Sequence, residues 1–330
     1  METVPNSKRL SLGILALVLV GAAVLTLFDL RLASSQTITL VAKRSENPIP
    51  LDDPSAGVWN KSSPIQVPLS GQIVTPPMGG SDGTVTARAL HYDGKLYIRV
   101  EWNDESEDAS TGRQNDFSDA AAVQFPVEDG ESVPAFCMGN PDAPVNIWQW
   151  KASWQTEADA AVLDVQDVYP NMAVDQYPFE DETEFYPASA SGNIVARADR
   201  TSAADNLLAG VFGTLTAAED QMVAGMGSWD DGKWRVVFSR DLEVDGEYTQ
   251  FSEGDSTNVA FAVWDGAKAK RDGIKSVSQF MTLEISSEIA TGGGGLSGGA
   301  IALFVVVGLV VIVGLAAAGS YLLYTRRQTA

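Results

Sequence analysis

Alternation of apolar and polar positions dominates the middle of this chain. Leu96, Ile98, Val100 and Trp102 fall on one side of an extended segment, and Tyr97, Arg99 and Glu101 on the other. That period of two is the mark of a strand with two different faces. Asp93-Gly94 joins this segment to residues 84–91, and Asp-Gly suits a two-residue hairpin because both positions must take positive φ. Trp234, Val236 and Phe238 repeat the alternation after Asp230-Asp231-Gly232. Further strands are predicted at residues 66–74, 120–125, 145–151, 193–198, 258–264 and 280–286. Many short strands between turns predict an all-β chain folded as an antiparallel β-sandwich. Residues 156–221 are less regular and carry Tyr169-Pro170, Tyr177-Pro178 and Tyr186-Pro187, which predicts a long ordered loop region.

Two uninterrupted apolar segments bracket this pattern. Residues 10–30 follow Lys8 and Arg9, and residues 300–324 precede Arg326 and Arg327. Each is long enough to cross a hydrocarbon core, which takes about 20 residues. Both basic flanks lie on the outer sides, so the positive-inside rule places residues 1–9 and 325–330 in the cytoplasm. Residues 34–290 are then an extracytoplasmic domain, linked through the Gly-rich tether 291–299 to the second span. A cleaved signal peptide is the alternative for the first span, although its apolar stretch exceeds a usual signal core.

Composition narrows the chemistry. The formal charge is −21, from 43 acidic and 22 basic residues, so nucleic acid is not an expected partner, since phosphates require a basic face. A hydrophobic content of 45% with eight tryptophans predicts a packed core rather than disorder. Acidic residues spread over the whole surface fit a halophilic protein, because salt screens their repulsion. One cysteine, Cys137, and one histidine, His91, exclude an intramolecular disulfide, a Cys-rich zinc site and an iron–sulfur cluster. His91 is expected at the surface end of a strand, Cys137 as a buried inert thiol, and the acidic run 101–108 as a solvated face rather than a calcium site.

The unusual segment is residues 133–152, where Phe136-Cys137-Met138-Gly139 leads through a proline-rich turn to Trp148-Gln149-Trp150-Lys151. Met138 is either core filler or a thioether at the mouth of an apolar pocket walled by Phe136, Trp148 and Trp150.

Four segments carry a resemblance. They are Trp59-Asn60-Lys61 to Val67-Pro68-Leu69; Ala89-Leu90-His91 to Trp102-Asn103-Asp104; residues 138–152; and residues 232–242 with Phe261-Ala262-Val263-Trp264-Asp265-Gly266 and Gly273-Ile274-Lys275-Ser276. Together they resemble the haem b-binding gamma subunits of the type II dimethyl sulfoxide reductase family, which includes those of ethylbenzene dehydrogenase, dimethyl sulfide dehydrogenase, and selenate and chlorate reductases. The resemblance implies a β-sandwich similar to a carbohydrate-binding module, holding one haem b between a methionine at Met138 and a lysine at Lys275. It implies an electron-transfer subunit rather than a catalytic chain, with iron–sulfur and molybdopterin subunits as partners. A respiratory nitrate reductase-like complex, working at the outer face of the cell membrane in anaerobic respiration, is the expected setting.

This chain departs from the family in its C-terminal span. Met172 and Met78 are rival thioethers, and Lys151 is a rival lysine whose tryptophan-rich strand points to cross-strand packing instead. Trp148 is expected against the cofactor. Arg240 either meets a haem propionate, since its planar fork matches a carboxylate, or is a surface arginine paired with a nearby acid. The ligand chemistry is coherent. A thioether is a soft neutral donor that favours ferrous iron, and lysine ligates only as a neutral amine, which burial promotes. The alternative function is a membrane-tethered carbohydrate- or ligand-binding sandwich without redox activity.

Overall fold

The computed structural model describes residues 38–81, 83–128, 134–159, 165–173, 191, 193 and 200–291. The expected spans 10–30 and 300–324, nearly all of the tether and all but the first residue of the predicted strand 193–198 lie outside the described residues. No helix among the described residues is long and apolar enough to cross a membrane.

Thirteen strands form one continuous hydrogen-bonded system. In chain order they are β1 (Thr39–Arg44), β2 (Ile65–Gly71), β3 (Gly83–Tyr92), β4 (Lys95–Asn103), β5 (Ala120–Pro126), β6 (Val145–Lys151), β7 (Ala204–Ala209), β8 (Thr216–Ala217), β9 (Ala224–Trp229), β10 (Lys233–Asp241), β11 (Ser256–Trp264), β12 (Ser276–Val277) and β13 (Met281–Ile289). The path runs β8-β7-β6-β5-β11-β12-β2-β3-β4-β10-β9, with β1 between β13 and β3. Two strands turn the corner between layers. The start of β11 pairs with β13 and its end with β5; the start of β2 pairs with β3 and its end with β12. A front layer of β5 to β8, β11 and β12 thereby packs on a back layer of β3, β4, β9, β10, β1 and β13.

The chain is mostly antiparallel, as predicted, but not wholly so. β1 runs parallel to both β13 and β3, which contiguous hairpins cannot do; its partners are remote in sequence. Four other strands escaped the alternation pattern. β7 and β8 lie inside the region expected to be loop, β12 spans two residues, and β9 contains Gly225 and Gly227. Those glycines are steric necessities. A Cβ at Gly227 would lie 2.4 Å from the Trp150 ring, and one at Gly225 would lie 2.5 Å from Ala204 Cβ. Helix α1 (Ala152–Asp159) continues directly from β6, and a short helix α2 spans Val165–Val168.

The alternation in β4 and β10 sorts as its period demands. Leu96, Ile98, Val100 and Trp102 face Trp234, Val236 and Phe238 of β10 within the core between the layers, while Tyr97 joins a smaller outer cluster with Trp59 and Leu90. Aromatic rings span the layers. Trp150 of β6 meets Trp234 of β10 edge-on at 4.9 Å, and Trp234 stacks on Trp102 at 6.2 Å. Such rings bury about 150–250 Å² each and dominate the energetics of a core.

Two surface expectations are corrected. His91 is buried, with Nε2 2.9 Å from the Ser286 carbonyl, because β1 and β13 cover the strand end that a hairpin alone would leave open. The run 101–108 is not a uniformly solvated face. Glu101 meets Arg235 at 3.1 Å, Lys233 at 3.3 Å and Arg99 at 3.6 Å. Asp104 is buried and shares a cluster with Asp119 and Asp265, whose carboxylate oxygens lie within 4.8 Å of one another. Burial, with repulsion from Asp265, pushes the Asp104 carboxyl above its usual range.

Candidate functional site

The front layer is buried on both faces, and this places the site. Its inner face presents Ala121, Val123 and Phe125 of β5 and Trp148 and Trp150 of β6 to the core. The alternate positions, Ala120 and Ala122 of β5, Ile147 of β6 and Trp264 of β11, form a separate outer cluster with Met138. Above that cluster is a cleft of about 840 Å³, within the ~300–1,000 Å³ range of small-molecule and cofactor sites. Small side chains make its floor. In register across three strands, Lys151 lies beside Ala120 and Ala120 beside Trp264; farther along, Ile147 lies beside Gln124 and Gln124 beside Ala260.

Met138 overhangs the Gln124 end. The turn after β5 carries it at φ 68°, in the left-handed region that non-glycine residues avoid. Gln124 holds it there, accepting the Met138 N–H at 3.2 Å and donating to the Phe136 carbonyl at 3.1 Å. Gly139 follows, also at positive φ, where a Cβ would press to 2.8 Å from the Ala143 carbonyl oxygen. Met138 itself is only 8% exposed.

Lys275 closes the cleft from the loop before β12. Its main chain is pinned by the Gln72 N–H, which donates to the Lys275 carbonyl at 3.1 Å. Its side chain is 8% exposed, and Nζ lies 5.6 Å from the Trp264 ring centroid. Among the described residues that nitrogen has no ion pair and no hydrogen-bond acceptor. Burial therefore holds its proton affinity below the ordinary lysine range, opposed only by nearby Cys137. Cys137 is 3% exposed, and burial pushes its thiol up, the reverse of a reactive thiolate.

The cleft thus gathers Met138, Lys275 and Phe136, but not Trp148, Trp150 or Arg240. Both tryptophans point from β6 into the core. Arg240 points inward from β10 and is 1% exposed, neither a surface residue nor a cleft residue. It donates to Asn146 Oδ1 at 3.0 Å and to the Thr249 carbonyl, and its guanidinium sits 5.1 Å from the Trp148 ring and 4.9 Å from Phe251. Met172 and Met78, 52% and 55% exposed, line no part of the cleft.

Three contributors went unassigned in the sequence. Gln124 is the polar member of the apolar strand Ala120–Pro126, a signal that could have marked it. Trp264 and Phe212 reach the cleft from β11 and from the loop after β7. Lys151 also lines it, 4.5 Å from the Trp154 ring, rather than serving only as strand packing. A neutral soft thioether and an amine with weakened hold on its proton, in one apolar cleft, form a donor set for a metal centre that accepts sulfur and nitrogen.

A sequence model described as ethylbenzene dehydrogenase matches residues 56–276. A protein of Haloferax mediterranei named as a respiratory nitrate reductase heme subunit is 29% identical over 253 residues, 73% of this chain and 74% of that one. The gamma subunit of dimethylsulfide dehydrogenase from Rhodovulum sulfidophilum is 28% identical over 69% of this chain and 72% of its own. The gamma subunit of chlorate reductase from Ideonella dechloratans is 30% identical over 68% and 75%. Among solved structures, a family 9 carbohydrate-binding module from Caldicellulosiruptor kristjanssonii overlays 78% of this chain and 99% of its own, with a TM-score of 0.38 at 9% identity. An overlay at that level carries no functional argument.

Proposed function

Because the chain belongs to the ethylbenzene dehydrogenase family, we propose that it is the haem b-carrying, electron-transferring gamma subunit of a molybdoenzyme complex, with Met138 and Lys275 as axial ligands. The observation that carries this reading is the state of Lys275: a buried ammonium that forms no ion pair among the described residues. A charge so placed is costly. Holding the iron would remove that cost, because Lys275 would serve as a neutral amine, its proton released to water. The residues fit the group in other respects. The floor of Ala120, Ala122 and Ala260 leaves room for a flat macrocycle, and Met138 is held at positive φ by the Gln124 side chain at one end of that floor.

Haem iron supplies reversible one-electron chemistry when bound. The protein's part is to hold it, to exclude water and to set its preference between oxidation states. Met138 favours the ferrous form as a soft donor. With Met138 and Lys275 both holding the iron, no position would remain for a substrate, so the chain would pass electrons while another subunit performs the reaction. The relatives' names favour a respiratory reductase, nitrate reductase-like, with iron–sulfur and molybdopterin subunits as partners. The spans 10–30 and 300–324 would tether the domain on the extracytoplasmic side of the membrane. A carbohydrate-binding reading has less support, since it calls for exposed aromatic faces and seven of the eight tryptophans are buried. The test is a visible spectrum of the full-length protein purified in detergent. A low-spin haem spectrum that sharpens on reduction is expected; a folded protein that stays colourless after incubation with haem b would refute the reading.

A further inference from the structure

Three lysines line the cleft, and the proposed ligation uses only Lys275 while Lys270 is taken up by Ser81. Lys151 stands at the opposite edge of the floor, across Ala120 from Trp264. Neighbouring strands are about 4.8 Å apart, so the two backbone positions are separated by about 10 Å. Lys151 Nζ lies 4.5 Å from the Trp154 ring centroid and, among the described residues, forms no ion pair and no hydrogen bond. Its neighbour shows that this is not a shortage of acids. Arg200, 4.1 Å from the same ring, is matched by both oxygens of Asp205 at 2.8 and 3.2 Å and by Glu157 at 3.4 Å. Trp154 is therefore flanked by one neutralised cation and one that is not.

The cleft as a whole repeats the imbalance. The chain carries 43 acidic and 22 basic residues, yet the cleft is lined by five cations, Arg113, Lys151, Lys270, Arg271 and Lys275, against the acids Asp116, Glu157 and Asp272. Lys270 donates to Ser81 Oγ at 2.7 Å, and Arg271 lies 3.8 Å from Asp272. Of the two that remain, Arg113 stands on the loop before β5 and Lys151 on the strand β6. A protein whose overall field repels anions has concentrated positive charge where its ligand enters.

We propose that Lys151 is a specificity-determining residue that pairs with a carboxylate of the cleft's ligand. The inference rests on the haem reading, and haem b carries two such carboxylates, its propionates. Trp154 fixes the Lys151 stem and faces its charge through the ring quadrupole, so the ammonium is pre-aimed before the ligand arrives. Burial depresses its proton affinity, with Asp272 the leading opposing influence; an arriving carboxylate supplies the counter-charge that is missing.

The test is equilibrium titration of the full-length chain in detergent with haem b and with haem b dimethyl ester, in which both carboxylates are blocked. Wild type should prefer haem b over the ester by about tenfold or more, the size of one charge-assisted hydrogen bond. Lys151→Gln should lose that preference by weakening haem b alone, Lys151→Arg should restore most of it, and all three should show the same low-spin spectrum. A wild-type preference near one overturns the proposal without any variant, which covers the case in which Lys151→Gln fails to fold. So does a Lys151→Gln protein that weakens haem b and ester equally. Low-spin haem b binding with the preference unchanged in Lys151→Gln would remove Lys151 and leave the haem reading standing; failure of wild type to bind either compound would remove both.

Discussion

Gln124 grips the backbone that carries Met138. Its side-chain oxygen accepts the Met138 N–H at 3.2 Å while its nitrogen donates to the Phe136 carbonyl at 3.1 Å. One side chain on a rigid strand thus sets a turn whose φ of 68° is costly for methionine. Gln124→Leu leaves two buried backbone groups unpaired at about 1–3 kcal/mol each. The expected outcome is a less stable protein whose haem spectrum is a mixture of low- and high-spin forms. A spectrum identical to wild type would show that the turn needs no such support.

Removing either proposed ligand should open an axial position. Met138→Ala is expected to shift the spectrum toward high spin and to lower the reduction potential, because the soft donor that favours ferrous iron is gone. Lys275→Ala is expected to yield high-spin or haem-depleted protein. His91→Ala should leave the spectrum unchanged, since His91 is on β3, packed against β1 and β13 and away from the cleft. Loss of the low-spin form in His91→Ala and its retention in Lys275→Ala would overturn the assignment.

Lys275 should weaken the protein that lacks its cofactor. A buried ammonium without a partner costs stability, so Lys275→Leu is expected to raise the melting temperature of the haem-free protein while abolishing the normal spectrum. The pH dependence has a definite sign. Burial lowers the folded-state pKa below the ordinary 10.5, so between those values the unfolded chain holds the extra proton, and stability rises with pH across that window. Melting curves of wild type and Lys275→Leu from neutral pH to about 10 should therefore converge as pH rises. Parallel curves would mean that Lys275 is already paired.

Asp119 should make the domain weaker toward neutral pH. Burial is the main cause that pushes its carboxyl from 3.8 up to about 7, with Asp104 adding to the rise, while the N–H groups of Gly266, Asp108 and Trp234 oppose it. Between those two values the folded chain keeps a proton that the unfolded chain releases, so stability falls as pH rises through the window. Asp119→Asn cannot titrate and loses an acceptor. It should melt lower overall but with a flatter dependence between pH 4 and 7. An unchanged slope would count against Asp119 as the titrating group.

Gly227 tests the contact between layers. Its missing Cβ would fall 2.4 Å from the Trp150 ring, and that ring is held by Trp234 at 4.9 Å and by a hydrogen bond to Gln155 at 3.1 Å. Gly227→Ala should cost about 1–3 kcal/mol, as overpacking does, and lower the melting temperature by several degrees. Melting at the wild-type temperature would show that β9 can shift freely.

Much of this architecture is written locally. The alternation of Leu96 to Trp102 and of Trp234 to Phe238 settles which side chains share a face, because a strand's side chains alternate whatever lies around it. Asp93-Gly94 settles the hairpin. The run around Met138 and the segments it resembles point to the family and to the methionine and lysine together. Alternation cannot say what each face meets. In β6 both faces are buried, so Trp148 and Trp150 looked as suited to the cleft as Ile147 and Lys151; only the packing of β10 and β9 against one side assigns the tryptophans and Arg240 to the core. Nor does local pattern bring Lys275 into one cleft with Met138, place His91 under β1, or leave Lys151 without an ion pair among the described residues. Those outcomes depend on which remote strands pair, as β11 and β12 do with β5 and β2, and tertiary packing makes that choice by burying the front layer on both faces at once.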